Sequence, residues 1–258
     1  KIVIKKIKEK HLDKPKVIRL FENEALFLFD KKGLPNKLVY FIDKGNHFIT
    51  KPYIKGNSLE FLSGKKKIDN LKDILLKLCD LMIYLESNDV IHCDVKPSNI
   101  LVDDQGSISL IDFGLAQLYR HSKINYTLFS LGYAAPELIL NQRNIVDSRT
   151  DIFSFGMLMY KLISGELPFS DANPSVFTNI QITLPIPKSS KIKKEMMAII
   201  LKCCHKHTFD RPPNRYSENA LCHKLLDGMD LRYESFSELK TELEKLDERS
   251  FIKKRFSF

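Results

Sequence analysis

The chain has 258 residues, 43% of them hydrophobic, and a formal net charge of +9. That is apolar material for one large domain or two lobes, and no run of roughly 18 apolar residues marks a membrane span. The five cysteines are odd in number and lie mostly in apolar or helical contexts, which fits a reducing compartment better than a disulfide framework.

The lysines are scattered, including the small clusters Lys65–Lys67 and Lys253–Arg255. They read as a solvated surface, and no nucleic-acid partner is expected. No signal-peptide pattern opens the chain. The expected location is the cytoplasm, or the cytoplasm of a host if the protein is a secreted effector. Lysine and isoleucine richness is compatible with a bacterial or viral source.

Ile2-Val3-Ile4-Lys5 reads as a strand, with Val3 and Lys5 on one face and Ile2 and Ile4 on the other. Lys16 to Lys32 has helical spacing at Leu20, Phe21, Ala25 and Leu28. Strands over Leu38–Ile42 and His47–Thr50, joined by Asp43-Lys44-Gly45-Asn46, form a hairpin. Leu71 to Leu85 is an amphipathic helix. Met157 to Ile163 is apolar nearly all round, so its helix must be buried.

Residues 170–190 read as a loop, Ile192–Cys204 and Phe236–Leu246 as helices. Cys203-Cys204-His205-Lys206-His207, with Cys222 and His223, lacks a paired Cys-x-x-Cys spacing and reads as helix-end residues, not a zinc site.

The most informative stretch is Val90 to Gly114. Ile100–Val102 and Ile108–Ile111 flank the turn Asp103-Asp104-Gln105-Gly106, a second hairpin. It should bring Asp94, Lys96 and Asn99, just before its first strand, close to Asp112, just after its second. Two carboxylates, a lysine and an amide suit a hydroxyl nucleophile, a phosphate and a divalent cation. Asp94 would accept the hydroxyl proton, Lys96 would neutralise the phosphoryl group, and Asn99 and Asp112 are hard oxygen ligands for Mg²⁺.

His92-Cys93-Asp94-Val95-Lys96-Pro97-Ser98-Asn99 followed by Asp112-Phe113-Gly114 resembles the catalytic loop and metal motif of eukaryotic-type Ser/Thr protein kinases. Nearly the whole chain joins in the resemblance. It implies an α+β bilobal fold, a β-rich small lobe with one helix and a mainly helical large lobe, in a single domain over 1–258 divided into 1–54 and 55–258. It implies ATP and Mg²⁺ (or Mn²⁺) as cofactors and a protein substrate; oligomeric state is left open.

By the same resemblance, Lys5 would hold the α- and β-phosphates, paired to Glu24, with Lys6 and Glu22 as competitors for these roles. Val3 and Leu101 would sandwich adenine, and the Pro52 carbonyl and Ile54 N–H would bind its edge. Leu28, one turn beyond Glu24, would be buried. Lys51 falls at a position that is usually apolar, so either the register there is one residue off or the back of the pocket is unusual. The glycine-rich loop expected before Ile2 is not in the given chain, and is either upstream or lacking.

Ser130 stands where Ser/Thr kinases place a threonine against the catalytic Asp and Lys, and Ala135-Pro136-Glu137 resembles the A-P-E motif. Asp151-Ile152-Phe153-Ser154-Phe155-Gly156 resembles the start of the central helix, with Asp151 capping it and binding the catalytic-loop backbone. Glu137 would pair with Arg211 or Arg232, the former preferred. Ser122, Tyr126 and Thr127 are loop hydroxyls open to phosphorylation.

Cys93 replaces the arginine that pairs with a phosphorylated activation loop. That predicts activity without such phosphorylation, and an uncharged buried thiol in preference to a reactive one. A pseudokinase acting as a binding module is the main rival, with a small-molecule phosphotransferase behind it.

Overall fold

In the computed structural model, residues 1–65, 68, 70–119 and 128–251 are described. Ser122, Tyr126, Thr127 and the basic tail cluster at 253–255 lie outside them, as does most of the lysine cluster at 65–67.

Strand β1 (Ile2–Lys6) has the expected period of two, with Val3 and Lys5 turned inward and Ile2, Ile4 and Lys6 outward. Helix α1 (Pro15–Glu24) begins on a proline, whose fixed φ and missing N–H suit a first helical position. It does not run on to Lys32. The Ala25 N–H closes a tight turn on the Glu22 carbonyl at 3.2 Å, and the chain then extends. Phe27 and Phe29 reach back to the Phe113 ring at 6.0 and 5.1 Å between centroids. Leu28 points between them to solvent and is 48% exposed, not buried. Aromatic packing overrides the helical spacing here.

Strands β2 (Val39–Asp43) and β3 (Asn46–Pro52) form the first hairpin. Its two turn residues, Lys44 and Gly45, both have positive φ (46° and 75°), the conformation that matches the twist of the flanking strands. The sheet order is β1-β3-β2, with Val3 opposite Lys51 and Lys5 opposite Ile49.

Below it, β4 (Asn57–Ser58) leads into α2 (Leu59–Lys65) and α3 (Leu71–Ser87). Helix α3 buries Leu71, Ile74, Leu75, Leu78, Leu81, Met82 and Leu85, one stripe along its length. Strand β5 (Val90–Ile91) follows, then the hairpin β6 (Ile100–Val102) and β7 (Ile108–Leu110), then β8 (Gln117–Leu118). Strands β4, β6 and β7 make one small sheet and β5 pairs with β8. These pairings carry both ends of the 90–114 stretch to one place.

The rest is helical. Short α4 (Pro136–Ile139) precedes α5 (Ser148–Ser164), whose residues from Thr150 to Tyr160 are all buried. The cap of α5 is Asp147, which accepts the Arg149 N–H at 2.9 Å. Asp151 is therefore not the cap; it lies inside the first turn and faces the core. Helix α6 (Pro174–Thr183) occupies a stretch expected to be loop. Asn173 caps it, Pro174 starts it, and Phe177, Gln181 and Ile182 are buried on one side.

Helices α7 (Lys194–Cys203), α8 (Glu218–Met229) and α9 (Phe236–Glu244) complete the body. Gly156 lets α5 and α7 touch, since a Cβ there would lie 2.5 Å from the Cys204 Sγ. Helix α9 packs along α3. Among the described residues no helix is long and apolar enough to cross a membrane.

Candidate active site

A cleft opens between the first sheet and the helical body, lined by Lys5, Phe21, Glu24, Asp94, Lys96, Asp112 and Ser130 among others. Asp94 is 7% exposed and is the hub of its lower side. Its Oδ1 accepts the Ser130 hydroxyl at 2.5 Å and its Oδ2 accepts the Asn99 amide at 2.8 Å. Lys96 Nζ lies 2.7 Å from Asp94 Oδ2 and donates to Ser130 Oγ at 2.7 Å. The Asn99 amide nitrogen also reaches the Asp94 carbonyl at 2.9 Å, which leaves the amide oxygen as the group it can offer.

Two residues of the site adopt the left-handed conformation that non-glycine residues avoid, Cys93 before the β6–β7 hairpin at φ 61° and Asp112 after it at φ 69°. For Cys93 the buried Asp151 carboxylate compensates. Its two oxygens accept the His92 and Cys93 N–H groups at 2.7 and 2.8 Å. Burial pushes the Asp151 carboxyl up to about 7, against the pull of those two donors.

His92 is fully buried, and burial holds its imidazole neutral below the ordinary range. Its Nδ1 accepts the Asp94 N–H at 3.2 Å, so the ring proton sits on Nε2, 3.3 Å from the Ile111 carbonyl. Sequence reasoning gave His92 no role, yet it braces the backbone of Asp94 against that of Ile111. Burial also pushes the Cys93 thiol far up, which keeps it uncharged.

On the upper side, Lys5 Nζ lies 2.7 Å from Glu24 Oε2 and 3.5 Å from Asp112 Oδ2. Burial alone would lower the Lys5 ammonium, but the Asp112 and Glu24 carboxylates outweigh it and raise it. Burial would likewise raise the Asp112 carboxyl, but Lys5 and Lys51 hold it below the usual range. Lys6 and Glu22, the competitors, are exposed on outward faces.

Val3 and Leu101 are both half-buried. Strand β3 ends at Pro52, the Tyr53 N–H goes to the Lys1 carbonyl at 3.1 Å, and Ile54 is half-buried.

Asn23 escaped the sequence reading. Its amide nitrogen donates to the carbonyls of Phe113, Gly114 and Ala116 at 3.3, 3.0 and 2.8 Å, tying α1 to the segment after Asp112. Its only signal was a polar residue beside Glu24.

Beneath the site, Glu137 is paired with Arg232, not with Arg211. The Arg232 guanidinium reaches both Glu137 oxygens at 2.7 and 3.1 Å, with side chains 1% and 0% exposed. It also donates to the His205 and Arg149 carbonyls and lies over the Phe153 ring. Arg211 stacks on Tyr216.

The cysteines and histidines near 203–223 are engaged separately. Cys204 Sγ faces the Phe153 carbonyl, His205 the Gly228 carbonyl and Cys222 the Gln142 amide.

A hydroxyl, three carboxylates, two lysines and an amide thus converge on one cleft beside a loop held from below by a buried aspartate. Comparison with known proteins agrees with the class that this geometry defines. A family model described as the protein kinase domain matches residues 1–226, and the chain belongs to that family, among its eukaryotic-type serine/threonine members.

A probable serine/threonine-protein kinase of Clostridium perfringens is 28% identical over 229 residues, 83% of this chain and 32% of its own length. Its counterpart in Clostridium acetobutylicum is 29% identical over 197 residues, 72% of this chain and 29% of its own length. Protein kinase kin1 of Schizosaccharomyces pombe is 34% identical over 139 residues, 52% of this chain and 16% of its own length. The chain therefore spans about a third or less of the curated relatives it matches.

Proposed function

We propose that the chain transfers the γ-phosphoryl group of Mg·ATP to serine or threonine hydroxyls of protein substrates. The observation that carries this reading is the Asp94–Lys96–Asn99–Ser130 cluster, in which each member is within hydrogen-bonding distance of Asp94.

Mg·ATP would supply the phosphoryl donor and much of the charge neutralisation. Asp94 orients the acceptor hydroxyl and takes its proton, while Lys96 offsets charge on the moving group. The Asn99 amide oxygen and the Asp112 carboxylate, kept ionised by its lysine neighbours, are the hard donors that Mg²⁺ takes. Lys5 holds the donor's phosphates, Val3 and Leu101 flank its base, and Pro52 and Ile54 meet the base's edge. Residues 1–54 serve as the small lobe and 55–258 as the large one. The chemistry is then chiefly positioning and electrostatics.

Activity without activation-loop phosphorylation belongs to the same reading. Cys93 offers no charge to a phosphate. Arg143 instead bridges Gln117 and the Leu128 carbonyl, at 3.1 and 3.4 Å, on either side of residues 120–127. Phosphatase-treated protein should keep its activity, and strong loss would refute this part.

The direct test is phosphorylation of a generic Ser/Thr protein, or of the chain itself, with Mg·ATP. Asp94→Asn should lower kcat by about 10²-fold or more, the scale of a lost general base, while Mg·ATP still raises the melting temperature. A thermal shift without transfer in the wild type would mark a nucleotide-binding module, and neither effect would remove the kinase reading. Transfer to small molecules but not to proteins would place the chain with small-molecule phosphotransferases.

A further inference from the structure

Lys51 occupies a cleft-facing position of β3, opposite Val3 and on the same face as Lys5. Its ammonium lies 2.9 Å from Glu24 Oε1, while Lys5 takes Glu24 Oε2 at 2.7 Å. One glutamate, 3% exposed, therefore serves two lysines with separate oxygens.

Helix α1 makes this unusual in consequence. Among its ten residues the buried one is Glu24; the others are half-buried or exposed. Its apolar residues Val17, Ile18, Leu20 and Phe21 are only half-buried, so hydrophobic packing seats it in part. Its polar end adds the rest of the hold, where Asn23 grips the carbonyls of Gly114 and Ala116 and Glu24 grips the sheet. Lys5 alone is a divided anchor, since Asp112 competes for it at 3.5 Å. Lys51 also acts on Asp112 through its charge, but among the described residues its ion pair is the one to Glu24.

We infer that Lys51 is a positioning residue: it fixes Glu24, and with it α1, so that the Lys5 ammonium stays available to the phosphates of the nucleotide. Its kinetic part rests on the kinase reading; its anchoring part does not. Without Lys51 both Glu24 oxygens would turn to Lys5, drawing it from the phosphates in the ground state and the transition state alike. Such a loss raises KM and leaves kcat nearly unchanged.

The test uses the full chain and the variants Lys51→Met, Lys51→Arg, Glu24→Gln and Glu24→Gln/Lys51→Met. Backbone hydrogen exchange is measured in α1, with α3 and α5 as internal references. Lys51→Met should speed exchange of residues 15–24 about tenfold, the scale of one charge-assisted hydrogen bond, and leave the reference helices unchanged. Lys51→Arg should restore it. Adding Lys51→Met to Glu24→Gln should change little further, because the two act through one contact.

In the phosphotransfer assay Lys51→Met should raise KM for Mg·ATP about tenfold with kcat within about twofold. Unchanged α1 exchange in Lys51→Met, or an equal added effect in the Glu24→Gln background, would overturn the proposal. Should Lys51→Met loosen the reference helices as well, Lys51→Gln, which keeps a polar head, replaces it under the same criteria. If the wild type transfers no phosphate, the exchange measurements still decide the anchoring role.

Discussion

Asp151 shows how a single buried carboxylate sets both geometry and pH response. It is 1% exposed, and its oxygens hold the backbone of His92 and Cys93 in place. Burial raises its carboxyl from the ordinary value of 3.8 to about 7. The folded chain therefore keeps a proton that the unfolded chain releases between about pH 4 and 7. Stability from this group is fully present below the unfolded value and is lost as pH rises through the folded one. Asp151→Asn should flatten that part of the profile, which urea denaturation at pH 5 and pH 7.5 would reveal; an unchanged slope would contradict the assignment. Asp112 runs the other way. Its carboxyl is depressed, so its contribution holds above the ordinary carboxylate value and fades below it.

Elements were legible where a local pattern decided them. The β2–β3 and β6–β7 hairpins and helix α3 follow from alternation, turn residues and an apolar stripe. The cluster of Asp94, Lys96, Asn99 and Asp112 was legible for the same reason, since one hairpin joins its two halves. The end of α1 was not, because Phe27 and Phe29 are claimed by Phe113, a residue distant in sequence.

Helix α6 was hidden by the Pro and Ser composition of its surroundings, although Asn173-Pro174 is a good start signal. Lys51 could be located but not interpreted, because its partner lies on another element. At α5 the deciding contact is steric. Gly156→Ala would force a Cβ against Cys203 and Cys204, an overpacking that should cost about 1–3 kcal/mol in denaturant midpoint analysis. A neutral result would mean that α7 can shift freely.

At the scale of the whole molecule, one ion pair joins distant parts of the chain. Glu137 at the start of α4 and Arg232 between α8 and α9 are both out of solvent, and Thr150 on α5 supports the same glutamate at 2.8 Å. Removing one partner of such a pair strands a charge, so Arg232→Leu should destabilise by about 3–5 kcal/mol. Arg211→Ala should stay within about 0.5 kcal/mol, as for an ordinary surface change. Thermal and denaturant unfolding of the two variants would separate them, and reversed magnitudes would restore Arg211 to the role. Spacing alone did not choose between the two arginines, because the choice depends on which one the fold delivers beneath α4.

The match to the family stops at residue 226, and Arg232 comes after it. Helix α9, which lies along α3, also follows that limit. A boundary drawn by resemblance would therefore fall inside the folding unit. Such a cut would leave Glu137 with no counter-charge and bare one side of α3. The stretch beyond the match thus supplies the counter-charge and the packing face that the matched stretch needs in order to fold.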